Sequence, residues 1–143
     1  MLVQQILKSK GGSVFTTQPD TLISDAAAIL SREKIGVLIV SPGDGRVVGI
    51  LSERDIVRSL GERGAACLSQ TVESLMTRDL TYASLSDTGE NIARQMSEGR
   101  FRHMPVLEDD KLIGIVSQGD VVKARLEELT MENESMQDMI MGR

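Results

Sequence analysis

Tryptophan is missing from the 143 residues, and there are only one Tyr, two Phe, one Cys, one His and three Pro. Each shortage closes a route. Without aromatics the interior has to be filled by Val, Ile, Leu, Ala and eight Met, adaptable side chains that tolerate movement. The lone Cys67 can make no internal disulfide, and no Cys/His cluster offers the ligands of a zinc site, which points to a reducing cytoplasm. There is no paired His, no glycine-rich phosphate loop and no nucleophile elbow, so no catalytic activity is expected. No run approaches the roughly 18 apolar residues of a membrane span, and the opening MLVQQILKSKGG is too short and too polar for a signal peptide. Positive charge is also scarce. Sixteen Lys and Arg against 21 Asp and Glu leave a net charge of −5, which disfavours binding to nucleic acid or to an anionic membrane.

What is present is ordinary for an ordered globular chain: 41% apolar and 26% charged residues argue against disorder. The distinctive feature is a repeat. Laid on itself, the chain matches VQQIL (3–7) to VESLM (72–76) and LSREKIGVLIV (30–40) to MSEGRFRHMPV (96–106). It then matches VGILSERDIVR (48–58) to IGIVSQGDVVK (113–123), where five of eleven positions are identical and five more are conservative. The same elements follow in each half. Ile23, Ala26, Ala27 and Leu30, and later Ile92, Ala93 and Met96, recur at helical spacing. Two apolar runs joined by SPGDGR or by EDDK predict a hairpin, and the Ser after the second run opens another helix. A half of this size is marginal alone, so the two halves are expected to pack as a pair with approximate two-fold symmetry and equivalent sites.

The repeated phrase carries two readings. Ser52 with Asp55, and Ser117 with Asp120, have the spacing of a capping box, in which the Ser accepts from the third amide of the helix and the acid reaches back. The same turn offers backbone amides and a hydroxyl to an anion, while the carboxylate can accept from ribose hydroxyls. Capping does not account for RFRHMP, where Arg100, Arg102 and His103 gather at the entrance of a strand, the two arginines sharing a face at period two. The first half has Gly36 and Val37 where the second has Arg102 and His103, so the halves are chemically unequal.

VESLMT, the Ala-rich helix, HMPV and GIVSQGDVV, doubled in this order over about residues 2–128, resemble the cystathionine-β-synthase (CBS) domain in tandem, the Bateman module. The resemblance implies an α+β fold in which each half is a small three-stranded sheet with two main helices. It divides the chain into residues 2–66, 67–129 and a tail, 130–143, that is either a helical extension or frayed. It also implies clefts for adenosine-containing ligands: AMP, ADP, ATP, S-adenosylmethionine or NAD(H). On this pattern Asp55 and Asp120 hold ribose, and Ser52 and Ser117 support ribose or phosphate. Thr17, Gly36 and Val37 serve the adenine of the Asp120 site, with Arg102 and His103 at the phosphate, and Met104 and Ile115 are further nucleotide-binding positions. The Asp55 site uses Ala83 and lacks the basic pair, and Ile39 stands where the second half has Pro105. The Asp120 site is therefore expected to favour anionic nucleotides.

The resulting expectation is a stand-alone regulatory module, homodimeric and cytoplasmic, that signals ligand occupancy to an unidentified protein. The alternative is a structural scaffold with empty clefts.

Overall fold

A computed structural model describes residues 1–11 and 14–142. Its elements are α1 (Val3–Lys10), β1 (Thr16–Thr17), α2 (Ile23–Glu33), β2 (Val37–Val40), β3 (Gly49–Ser52) and α3 (Glu53–Arg63). A 3-10 turn (Gly64–Ser69) then leads to α4 (Val72–Leu75), α5 (Gly89–Gly99), β4 (His103–Glu108), β5 (Lys111–Ser117) and α6 (Gln118–Ile140). The helix–strand–strand–helix order thus occurs twice, as the repeat predicts.

The compact units do not follow the linear repeat. One collects α1, Tyr82–Glu108 and the chain from Gly114 onward; the other runs from β1 to Thr81 and includes Asp109–Ile113. Each has its own aliphatic core. Ile23, Leu30, Leu38, Val40, Leu51 and Val72 fill the unit around β1–β3, and Val3, Ile92, Met96, Met104, Val106 and Val116 fill the other. The short helix that opens each repeat therefore packs in the unit of the opposite repeat.

The exchange is reciprocal. Val72 N–H donates to Thr21 O (2.8 Å) and Ile23 N–H to Gln70 O (2.9 Å), so α4 starts against α2. Val3 N–H donates to Asp87 O (2.9 Å) and Gly89 N–H to Met1 O (2.8 Å), so α1 starts against α5. Downstream, each exchanged helix lays an apolar side chain on the strand glycine of the repeated phrase. A Cβ at Gly49 would lie 2.5 Å from Met76 Sδ and 3.0 Å from Thr77 O; at Gly114 it would lie 2.9 Å from Leu7 Cδ2. Only a residue without a Cβ permits this approach. Leu7 and Met76 are themselves counterparts in the repeat.

The sheets differ. β1 pairs in parallel with β2, and β2 antiparallel with β3 in the register Val37–Ser52, Ile39–Ile50, so the first half has its three strands. The second half keeps only β4 and β5, with a single parallel bridge between Ala83 and Val106 in place of the expected third strand. Pro105 supplies the reason. Its counterpart Ile39 donates its N–H to Phe15 O (3.1 Å), and proline has no N–H to give. What survives is Ala83 N–H to Pro105 O (2.9 Å) and Leu107 N–H to Ala83 O (3.0 Å). The β4–β5 turn is a two-residue loop with positive φ at both Asp109 (52°) and Asp110 (63°), as a type I′ turn requires.

Filling either strand glycine should destabilise the fold by about 1–3 kcal/mol through overpacking, with Gly49→Ala worse than Gly114→Ala. Gly49 faces a main-chain carbonyl that cannot move without breaking the pairing of Ile50 with Thr77, whereas Gly114 faces the methyls of one side chain. Urea midpoints of the two variants give the test; an unchanged midpoint in both would show that the approach is not tight.

Candidate functional site

Both repeated Ser/Asp pairs form a complete capping box. Ser52 Oγ accepts from Asp55 N–H at 3.1 Å and Asp55 Oδ2 accepts from Ser52 N–H at 2.9 Å; Ser117 and Asp120 make the same two bonds at the same two distances. The first amide of each helix is also taken, Glu53 N–H by Gly36 O (2.9 Å) and Gln118 N–H by Arg102 O (2.8 Å). Gly36 and Arg102 thus occupy equivalent places at the mouths of the two helices. With these amides engaged, the main chain of the helix start offers an anion less than the sequence suggested.

The second oxygen and the surroundings separate the two sites. Asp55 is buried, and its Oδ1 accepts from Arg58 of the same helix (2.7 Å). Asp120 is half-buried and its partner comes from the other end of the chain: Lys10, the last residue of α1, donates from Nζ to Asp120 Oδ2 (2.7 Å) and to the carbonyl of Ile115 (2.9 Å). No donor among the described residues reaches Asp120 Oδ1. The neighbouring cavity, lined by Ser9, Lys10, Lys123 and Glu127, is about 40 Å³. That holds a water molecule and not a purine.

The strand edge differs in the same sense. In the first sheet, Thr77 pairs with Ile50 in both directions (3.0 and 2.8 Å) and closes the outer edge of β3. Ile115 is the counterpart of Ile50. There α1 stays helical as far as Lys10, no such return is made among the described residues, and the Ile115 carbonyl accepts from a lysine side chain instead. Among the described residues its N–H has no main-chain partner corresponding to Thr77.

The remaining sequence-predicted residues fall into two sets. Ala83, Arg102, His103, Met104 and Ile115 share the unit of Ser117 and Asp120, whereas Thr17, Gly36 and Val37 share that of Ser52 and Asp55. Met104 and Ala83 are buried within their unit's core, so their side chains act there as packing. Thr17 is buried in β1 beside Val40. Arg102 is exposed and its guanidinium makes no ion pair among the described residues. The expected shared face of Arg100 and Arg102 is not formed. Arg100 ends α5 in the left-handed conformation (φ 57°) and the strand begins only at His103, so period two does not apply between the arginines.

Lys10 went unnoticed in the sequence. The available signal was a departure between repeats, Lys10 standing where the second has Asp79, and charge inversion next to a repeated motif marks unequal sites.

The electrostatics follow from these contacts. Burial pushes the Asp120 carboxyl up, but the Lys10 hydrogen bond, the Ser117 amide and the Lys10 charge together outweigh it and hold the group below its ordinary value of 3.8. Among the described residues no group of His, Cys, Asp and Glu is arranged to hold a metal, and no helix is long and apolar enough to cross a membrane.

The family model of the CBS domain matches residues 6–62 and 72–127. The crystal structure of a CBS-domain containing protein from Agrobacterium tumefaciens aligns with 87% of this chain and 99% of that one, at 43% identity and a TM-score of 0.84. The mitochondrial CBS domain-containing protein CBSX3 of Arabidopsis thaliana is 32% identical, covering 98% of this chain and 72% of its own. The solved CBS domain pair of protein MJ0100, in complex with 5-methylthioadenosine and S-adenosyl-L-methionine, aligns with 90% of this chain and 98% of its own, at 27% identity and a TM-score of 0.79.

Because the folded value of Asp120 is depressed, its pairing stabilises the folded chain above the unfolded value and is lost as pH falls through the folded one. Lys10→Met should therefore lower stability at pH 7 and by a smaller margin at pH 3, which lies below the ordinary value of 3.8, so that part of the contribution is already lost there. Urea unfolding of both proteins at the two pH values measures this, and an equal gap at both would remove the ion pair as its source.

Proposed function

Since the chain belongs to the CBS domain family, we propose that it is a regulatory module that binds an adenosine-containing ligand and signals occupancy to a partner protein by a change of conformation or assembly. The observation that carries this reading is the arrangement around Asp120: a carboxylate whose Oδ1 no donor among the described residues reaches, an Ile115 edge that no main-chain group among them pairs as Thr77 pairs Ile50, and the Lys10 ammonium resting on both residues. A ribose diol donates two hydrogen bonds, which suits the carboxylate. The edge of adenine donates from its amino group and accepts at the adjoining ring nitrogen, which suits the carbonyl and amide of Ile115. Lys10 must leave both groups for this to happen, and a phosphate is a natural place for its charge to go. Arg102, exposed at the same helix mouth, supplies further positive charge, and His103 stands next to it in the sequence.

The MJ0100 pair in complex with two adenosyl compounds supports extending the ligand class to this chain. Within that class AMP, ADP, ATP, S-adenosylmethionine and NAD(H) are the ligands to test, with preference for those bearing phosphate at the Asp120 site. At Asp55 the Arg58 contact and the edge closed by Thr77 leave fewer free groups, so that site is the weaker. Occupancy is transmitted only if the ligand binds one state better than another. We place the module in a reducing cytoplasm, where a buried Cys67 stays a thiol, and assign it no catalysis, no nucleic acid and no membrane. It forms a homodimer through exposed apolar side chains of α3 and α6, among them Val57, Leu60 and Val122.

The scaffold reading draws on one observation, that both capping boxes are already closed on themselves. A thermal-shift panel decides between the two. A ligand at a hundredfold excess over its Kd stabilises the folded state by about 2.7 kcal/mol, whereas a scaffold responds to none of the panel.

The residue roles predict a pattern. Asp120→Ala should weaken adenosine and AMP alike, by roughly tenfold or more, while Arg102→Ala should weaken AMP far more than adenosine. Lys10→Met should strengthen adenosine, by vacating Asp120 and Ile115, and weaken AMP. Calorimetric titration reads all three, and equal losses of both ligands in Arg102→Ala and Lys10→Met would discredit the phosphate assignment.

A further inference from the structure

The helix α6 has two apolar faces. Val121 and Ala124 are buried where it packs on α1 and α5. On the opposite side Val122 (53% exposed), Leu126 (59%), Leu129 (45%), Met136 (61%) and Ile140 (80%) lie uncovered. Their spacing is four, three, seven and four residues. Inserting Asn133 makes it four, three, four, three, four, an unbroken heptad seam with Leu126, Asn133 and Ile140 at a and Val122, Leu129 and Met136 at d. All residues from 130 to 140 are exposed, and an isolated helical stretch of that length is marginal in water.

From this pattern we infer that the α6 helices of two copies pair through residues 122–140 as a parallel, in-register coiled coil, fixed by Asn133 against Asn133 of the second copy. The inference rests on the homodimer reading and adds its interface, orientation and register. Three features select a second copy as the occupant. A polar residue at a single a position is best satisfied by its own equivalent, which an in-register parallel pair provides and an antiparallel pair, setting Asn133 opposite Leu129, does not. The charges also comply. Glu127, Glu128, Glu134 and Asp138 fall at b, c and f, away from the seam, and the flanking pairs across a parallel seam are Arg125 with Thr130 and Glu132 with Gln137, with no like charges opposed. Finally, five large apolar side chains from each copy, with their flanking stems, amount to roughly 1,000 Å², the size at which specific interfaces begin.

The test places cysteines on and off the seam. In Met136→Cys the introduced thiols face each other at d, within disulfide reach, whereas Glu134→Cys, at b, points away. The native Cys67 is buried and the unaltered chain serves as control. Under mild oxidation Met136→Cys should give covalent dimer on the order of tenfold above Glu134→Cys, and adding Asn133→Leu should lower that yield as other registers or larger assemblies appear. Sedimentation of the unaltered chain is read alongside. A dimer in which Met136→Cys links no better than Glu134→Cys overturns the seam and leaves the homodimer standing. A monomer overturns both, and a monomer that co-sediments with phosphatidylcholine vesicles would give the face to a bilayer surface instead.

Discussion

The close approach of a helix to a bare strand backbone, Leu7 on Gly114 and Met76 on Gly49, is the constraint on which the remaining architecture depends. In both places the helix comes from the opposite repeat. A half of about 65 residues buries too small a fraction of its surface to be secure alone, and the exchange makes each core depend on residues from both ends of the duplication. The repeated glycine is therefore first a packing device. The serine and aspartate that follow are first a cap. Only after both structural demands are met does any capacity for ligand remain.

That remaining capacity is unequal, and the inequality begins with helix length. α4 ends at Leu75, the chain extends, and Thr77 pairs with the edge of β3; α1 continues to Lys10, and the corresponding edge of β5 is left to a side chain. A main-chain pair such as Thr77 with Ile50 is part of the fold and is displaced only by local unfolding. A lysine on a flexible stem leaves by rotating its own bonds. The duplication thus has one edge closed by the main chain and one met by a side chain. On the proposed reading, recognition belongs to the latter.

Much of this was legible in the sequence. The doubled phrase gave both hairpins and the helices after them because alternation, turn residues and capping act over a few neighbours. The capping boxes formed as their spacing required. Arg100 was misplaced because a helix end in the left-handed conformation leaves no periodicity to read. The third strand of the second half failed on one missing N–H, at Pro105, whose difference from Ile39 was visible although its consequence depends on which neighbour that N–H would have met. Lys10 and the exchange of α1 with α4 were hidden for a deeper reason. Both are contacts between residues 47 to 110 positions apart, and pattern within a window carries no information on them.

The position of Asp120 also bears on how occupancy could be communicated. It is the third residue of α6, and the uncovered apolar seam starts at Val122, two residues later on the same helix. A ligand that takes Asp120 from Lys10 changes the charge balance at the first turn, where the positive end of the helix macrodipole lies, and also releases the end of α1, which packs on α6. Both effects enter the same helix that the proposed pairing uses. An α-helix of 23 residues rises about 35 Å, so a small tilt at its start becomes a larger displacement at Ile140. Coupling between ligand and assembly then needs no separate relay, only that the two tilts differ in how well the seams of two copies meet.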